Sequence, residues 1–159
     1  MRRFLMYAAA VMVFSGAALA ADKAEIFGGY QLTHFDGGPN SSGWNAALTG
    51  NFNSWFGITA DFSGVYPSGG SFYTYTFGPK VSLPLPIVKP YVHALFGGAR
   101  LSGGGGALNG FDTMIGGGAD IGHGPFAWRI IQFDWMSARF HGVSDNKNIR
   151  VGTGIVLRF

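Results

Sequence analysis

The chain has 159 residues, 27 of them glycine and 16% aromatic, with no cysteine and a formal net charge of +3. Setting aside Arg2 and Arg3 in a leader takes the eleven basic residues to nine against eight acidic ones, a charge of +1. That balance excludes a nucleic-acid binder held by bulk charge, and the missing cysteines exclude disulfide support, thiolate catalysis and thiolate metal ligands.

Met1-Arg2-Arg3 precedes an apolar run from Phe4 to Val13, then Ser15-Gly16-Ala17-Ala18-Leu19-Ala20. A positive start, a short apolar core and a small-x-small ending predict a secretory signal peptide over 1–20, removed on export. The remaining 21–159 are one domain's worth of chain. No later apolar run is long enough for a transmembrane helix. Disordered glycine-rich chains lack the regular aromatic spacing seen here.

Side chains of a strand alternate between two faces, and the mature chain alternates almost throughout. Strand one is expected from Ala24 to Thr33, strand two from Trp44 to Phe52, and strand three from Trp55 through Ser63. Strand four is expected over Phe72 to Leu83, strand five over Pro90 to Arg100, and strand six over Phe111 to Ile121. Strand seven runs from Ala127 to Phe140, and strand eight from Asn148 to Phe159. Pro79 lacks a ladder donor, so a bulge or a ladder break is expected there. The connections alternate too. Polar, glycine-rich loops are expected after strands one, three, five and seven, including Ser102 to Gly110 and His141 to Lys147. Short or proline-tight turns follow strands two, four and six. An even strand number with unequal loops at the two ends is the signature of a transmembrane barrel.

The position of charge decides which face is inside. Glu25, Asp61, Lys80, His93, Asp120, Asp134, Arg150 and Arg158 fall on the face opposite the aromatics. A soluble sandwich or a lipocalin-like ligand barrel would turn those charges to water. A membrane barrel turns them into the lumen, because a charge facing lipid at the midplane costs about 2–4 kcal/mol. Eight strands leave an interior just wide enough for side chains. The expectation is therefore an all-β, eight-stranded antiparallel up-and-down transmembrane barrel, plugged by ion pairs and glycine. Gly97-Gly98 and Gly116-Gly117-Gly118 would give the larger side chains room. Strict alternation puts Arg100, Arg129 and Arg139 outward near strand ends, although a bulge can rotate Arg100 or Arg129 inward.

The segments Glu25-Ile26-Phe27-Gly28-Gly29-Tyr30, Gly43-Trp44-Asn45, Phe56-Gly57-Ile58-Thr59-Ala60-Asp61-Phe62, Val92-His93-Ala94-Leu95-Phe96-Gly97-Gly98 and Gly154-Ile155-Val156-Leu157-Arg158-Phe159 together resemble the OmpA-like eight-stranded outer-membrane barrel family. The resemblance covers Ala24 to Phe159 and implies an integral outer-membrane location. It implies that Gly154, Leu157 and Phe159 form the β-signal read by the barrel-assembly machinery, with periplasmic chaperones as transient partners. Gly152 stands where that signal usually carries a polar residue. The peptidoglycan-binding domain of longer family members is not expected. Arg100 and Arg139 are candidate contacts to lipopolysaccharide phosphates, and outer-membrane lipids are the other expected partners. No cofactor, catalytic site, metal site or nucleic-acid partner is expected.

Some small barrels modify lipid A with a histidine, a serine and an acid near the outer rim. His141, Ser144 and Asp145, with His34, Asp36, Ser41 and Ser42, supply those residue types, but their spacing departs from the deacylase's His-x-Ser pattern. His34, His93, His123 and His141 are scattered without metal-ligand spacing. The primary expectation is a structural or surface-interaction protein; a lipid A-modifying enzyme, a narrow passive channel and a soluble ligand binder are the alternatives.

Overall fold

The computed structural model describes residues 24–159, so the expected leader over 1–20 lies outside the described residues. Eight strands follow in order: β1 (Ala24–His34), β2 (Ser41–Asn51), β3 (Phe56–Val65), β4 (Gly70–Ser82), β5 (Val88–Gly103), β6 (Gly106–Ile121), β7 (Phe126–Phe140) and β8 (Val143–Arg158). Each pairs antiparallel with its sequence neighbours, and β8 pairs with β1 from Glu25↔Arg158 to His34↔Ile149, closing the barrel. Closure leaves no open edge, which a sheet surrounded by lipid cannot tolerate.

Alternation sorts the faces. Phe77, Ile115 and Trp135 are more than half exposed on the outside, whereas Asp134 and Arg150 are 0% and 1% exposed inside. The apolar surface therefore faces outward and the charges line the lumen. Outward rings also cover outward glycines: a Cβ on Gly64 would lie within 3 Å of Trp44 and Tyr73, and one on Gly98 within 2.6 Å of Tyr75. Glycine lets those rings lie flat against the strand.

The expected ladder break is present at Pro79, and two other local features differ from strict alternation and loop spacing. Pro79 breaks the β4–β5 ladder between the Phe77↔Phe96 and Lys80↔His93 pairs without shifting the register. In β7 the register shifts between Arg129 and Gln132, matched by a shift between Ala119 and Asp120 of β6. Ile130 and Ile131 consequently both face outward, and Arg129 turns inward with 4% exposure. This corrects the outward placement of Arg129: with one extra residue in the strand, two adjacent isoleucines take the apolar side and the guanidinium reaches carboxylates.

The loops expected at Ser102 to Gly110 and at His141 to Lys147 are instead mostly strand. β5 and β6 pair up to Gly103↔Gly106, and β7 and β8 pair up to Phe140↔Val143. Polar and glycine residues continue the ladder there as two-stranded ribbons. In the β7–β8 turn, His141 and Gly142 have φ of 45° and 85°. Two successive left-handed residues make the type I′ geometry that matches strand twist in a tight hairpin. We call the end with these ribbons the far end, and the end holding Ala24 and Phe159 the near end.

Candidate functional site: the lumen and its two mouths

The lumen is built in three layers. In the middle, Arg150 of β8 reaches across the barrel. Its Nη1 and Nη2 donate to Asp61 at 2.8 and 3.2 Å, and its Nε donates to Oδ2 of Asp134 at 2.8 Å. Asp61 also accepts from Asn45 at 3.1 Å, while Asp134 accepts from Gln132 at 2.8 Å and pairs with Nε2 of His93. One chain of polar contacts thus joins β2, β3, β8, β7 and β5. Bidentate geometry is what a guanidinium supplies and an ammonium cannot.

Glycine makes room for this belt. His93, Gly116 and Asp134 lie in one ladder row, so the histidine–aspartate pair spans directly over the glycine. A Cβ on Gly116 would sit 2.1 Å from Oδ1 of Asp134. Two residues on, Tyr91, Gly118 and Gln132 form a second such row, with the Tyr91 hydroxyl donating to Gln132 at 3.1 Å over the glycine.

The near-end layer is ionic as well. Both Lys80 and Lys89 donate to Glu25, the former at 2.7 Å. Arg129 donates to both oxygens of Asp120 at 2.8 and 3.3 Å, and stacks 4.2 Å from the Phe27 ring and 4.5 Å from Tyr91. Arg158 lies 3.8 Å from Glu25 and 3.7 Å from Asp120, beyond hydrogen-bond reach of either. Lys89, Arg129, Tyr91, Gln132 and Asn45 were not in the expected network. For Arg129 the signal was present as the adjacent Ile130-Ile131; Lys89 carried none, since Pro90 had marked the start of its strand.

The far-end layer is apolar. Val65, Phe72, Leu95, Ala99, Met114 and Met136 pack together inside the barrel, with Phe35 and Phe140 against them. The rings of Phe35 and Phe72 meet edge to face at 5.5 Å. A plug of ion pairs and glycine alone was expected; the observed plug has a hydrophobic cap. Two residues beyond Met114 toward the far end, in the row Gly97–Asp112–Ala138, Asp112 is fully buried and neither carboxylate oxygen has a hydrogen-bond partner among the described residues.

No protein-family model matches the chain, and no curated protein sequence matches it. Solved structures do. Neisserial surface protein A matches with a TM-score of 0.66 at 12% identity, over 88% of this chain and 98% of that one. The N-terminal barrel of Pseudomonas aeruginosa OprF gives 0.64 at 9%, over 88% and 100%. Ail, the attachment invasion locus protein of Yersinia pestis, gives 0.55 at 19%, over 88% and 100%. It has also been solved with the heparin analogue sucrose octasulfate, and that structure matches at 0.57. The chain has the OmpA-like outer-membrane barrel fold. At these identities the likeness concerns architecture alone: eight strands, closure, and a lumen filled by side chains.

On this OmpA-like frame the other candidate residues lie apart. Arg100 and Arg139 point outward near the far end, on the two strands flanking β6, opposite Asn109 and Phe111 respectively. Gly154 sits against β1, where a Cβ would be 2.5 Å from the Gly29 Cα. Leu157 pairs with Ile26 on one side and Phe126 on the other, and Phe159 is 58% exposed at the near end.

His34 and Ser144, from the two groups weighed for lipid chemistry, lie apart. His34 bonds to Asn40, and its ladder partner is Ile149, five residues from Ser144. That is roughly 17 Å along the strand. Ser41 is buried in β2. Among the described residues no cluster of three or more histidine and acidic side chains could hold a metal.

Proposed function

We propose that this protein is a non-enzymatic, integral outer-membrane barrel with a closed lumen, acting as a structural or surface-displaying element of the envelope. The observation that carries this reading is the double block of the lumen. The Arg150 belt crosses it and the Met114–Met136 layer fills it, while the large exposed apolar side chains face outward. A conducting pore needs a continuous aqueous path, and an enzyme needs an assembled nucleophile; the geometry favours neither.

In this reading the near end is periplasmic and the ribbons project from the cell, as short turns and longer extensions do in this fold. Cleavage after Ala20 precedes delivery by periplasmic chaperones. Gly154, Leu157 and Phe159 then serve as the signal for the assembly machinery. Arg100 and Arg139 lie level with Tyr73 and Phe111 toward the far end, where snorkelling guanidinium groups meet lipopolysaccharide phosphates. The complex of Ail with a sulfated heparin analogue supports a surface-contact role for cations of this kind.

The test is to fold the mature chain in detergent, compare its migration on a denaturing gel with and without boiling, and record from planar bilayers. A heat-dependent band shift with no steady conductance is expected. Steady conductance would replace this reading with a channel. Residence in the periplasm without detergent would replace it with a soluble binder. Lipid A mass is expected to be identical with the wild type and with Ser144→Ala or His141→Ala; a difference would establish an enzyme.

A further inference from the structure

The near-end mouth opens into a cavity of about 320 Å³, with Glu25, Lys89, His123 and Arg158 among its lining residues. Among the described residues four basic side chains gather at this layer, Lys80, Lys89, Arg129 and Arg158, with the carboxylates of Glu25 and Asp120. The two carboxylates are already taken. Glu25 holds both lysines, one per oxygen, and Asp120 holds both donors of the Arg129 fork. Arg158 shares both carboxylates at ion-pair distance, 3.8 Å from Glu25 and 3.7 Å from Asp120, and hydrogen-bonds to neither. Its guanidinium is 17% exposed, and its Nε and Nη2 are buried without a hydrogen-bond partner among the described residues.

Buried donors in proteins are almost always satisfied, and those of Arg158 are not. Elsewhere in the same lumen the balance is reversed: Asp61, Asp112 and Asp134 outnumber Arg150 and the ring of His93. The near-end excess is therefore local: Asp61 and Asp134 are held by Arg150 and His93, and Asp112 has no hydrogen-bond partner among the described residues. Lys89 and Arg158 also face the opening of the cavity, where a solute can enter.

We infer that the near-end mouth is a binding site for a small tetrahedral oxyanion, a phosphate group, held by the unpartnered fork of Arg158 with Lys89 beside it. A phosphate supplies what the mouth lacks: up to two negative charges and several acceptor oxygens in the geometry a guanidinium grips bidentately. Water can fill the acceptor role but not the charge. The site depends on the barrel being folded and not on which compartment the mouth faces. It stands or falls separately from the function proposed above.

The experiment is a titration of inorganic phosphate into the mature protein folded in a phosphorus-free detergent, at constant ionic strength balanced with chloride. It is read by ³¹P line broadening and by the urea midpoint of unfolding. Saturable broadening and a raised midpoint are expected. Arg158→Gln should weaken phosphate binding about tenfold or more, the worth of a lost charge-assisted bond. Lys147→Gln, which removes an exposed cation at the far end, should leave it unchanged. If Arg158→Gln does not give the compact unboiled band, Arg158→Lys serves: it keeps the charge, removes the fork and should still weaken binding. A short-chain phosphatidylglycerol arm separates sources. Competition between it and inorganic phosphate makes a lipid head group the natural occupant, whereas phosphate binding without competition assigns a free anion. Non-saturable effects reproduced by chloride, or full binding retained in both Arg158 variants, would overturn the inference.

Discussion

The middle and far-end layers of the lumen block the same space by opposite means. The middle belt is ionic and directional: Arg150 makes four contacts of 3.2 Å or less to two carboxylates, each oriented by further donors. The far-end layer is apolar and includes two methionines, the side chains most tolerant of irregular shape. The difference teaches that closure and specificity are separable. Apolar packing fills a lumen whatever its fine geometry. An ion-paired belt forms only in the correct register, because a one-residue slip would turn every charge toward lipid. Damage to the belt should therefore be abrupt, and damage to the cap graded.

The largest effect is expected from Arg150→Met. It leaves Asp61 and Asp134 buried without their cation, and breaking a buried pair by removing one partner costs about 3–5 kcal/mol. Urea unfolding followed by tryptophan fluorescence measures it. A loss below about 1 kcal/mol would mean that water or a shifted side chain satisfies both carboxylates. Gly116→Ala tests the same belt. Its new methyl meets Asp134 Oδ1 at 2.1 Å and the Phe133 carbonyl at 2.2 Å, so the His93–Asp134 pair must move. Overpacking of this kind costs about 1–3 kcal/mol. Gly28→Ala, whose Cβ would meet nothing within 4 Å, is the matched control and should be close to neutral. Equal effects at the two glycines would show that strand propensity, not the belt, sets the cost.

Much of this contrast was legible in the sequence, because alternation is local and lipid enforces it on every strand. Asp61, Asp120, Asp134, Lys80 and Arg150 could be placed inside by counting in twos. What counting missed came from changes in register. Arg129 needed the bulge at Ile130-Ile131, and the clue was two large apolar residues in succession, both suited only to lipid. The ribbons were missed because polar and glycine residues read as loop when no apolar face enforces alternation. Gly103↔Gly106 is held by ladder pairing alone. The cap was missed for a different reason. Leu95, Met114 and Met136 sit on the charged face by parity, but nothing in one strand reveals that apolar residues from β3 to β7 converge at the same height. Such convergence depends on the strand tilt, which links residues far apart in the chain.

Within the cap, Met114→Ala should cost about 2–5 kcal/mol, the range for truncating a buried side chain. Met136→Leu is the gentlest change and the sharpest test of the comparison. Met136 is 1% exposed and packs in the apolar cluster of β3 to β7. Leucine has nearly the same volume but one fewer rotatable bond and a branch at Cγ, where methionine is unbranched. In an adaptable layer the neighbours absorb that difference. The flexible Met114 and the edge-to-face rings of Phe72 and Phe140, 6.5 Å apart, can each shift by a few tenths of an ångström. The expected cost is under about 1.5 kcal/mol, with unchanged heat-dependent migration. A cost as large as that of Arg150→Met would mean that the cap also specifies the register. Filling and specifying would then be the same property in this barrel, and the division between its two layers would be one of chemistry only.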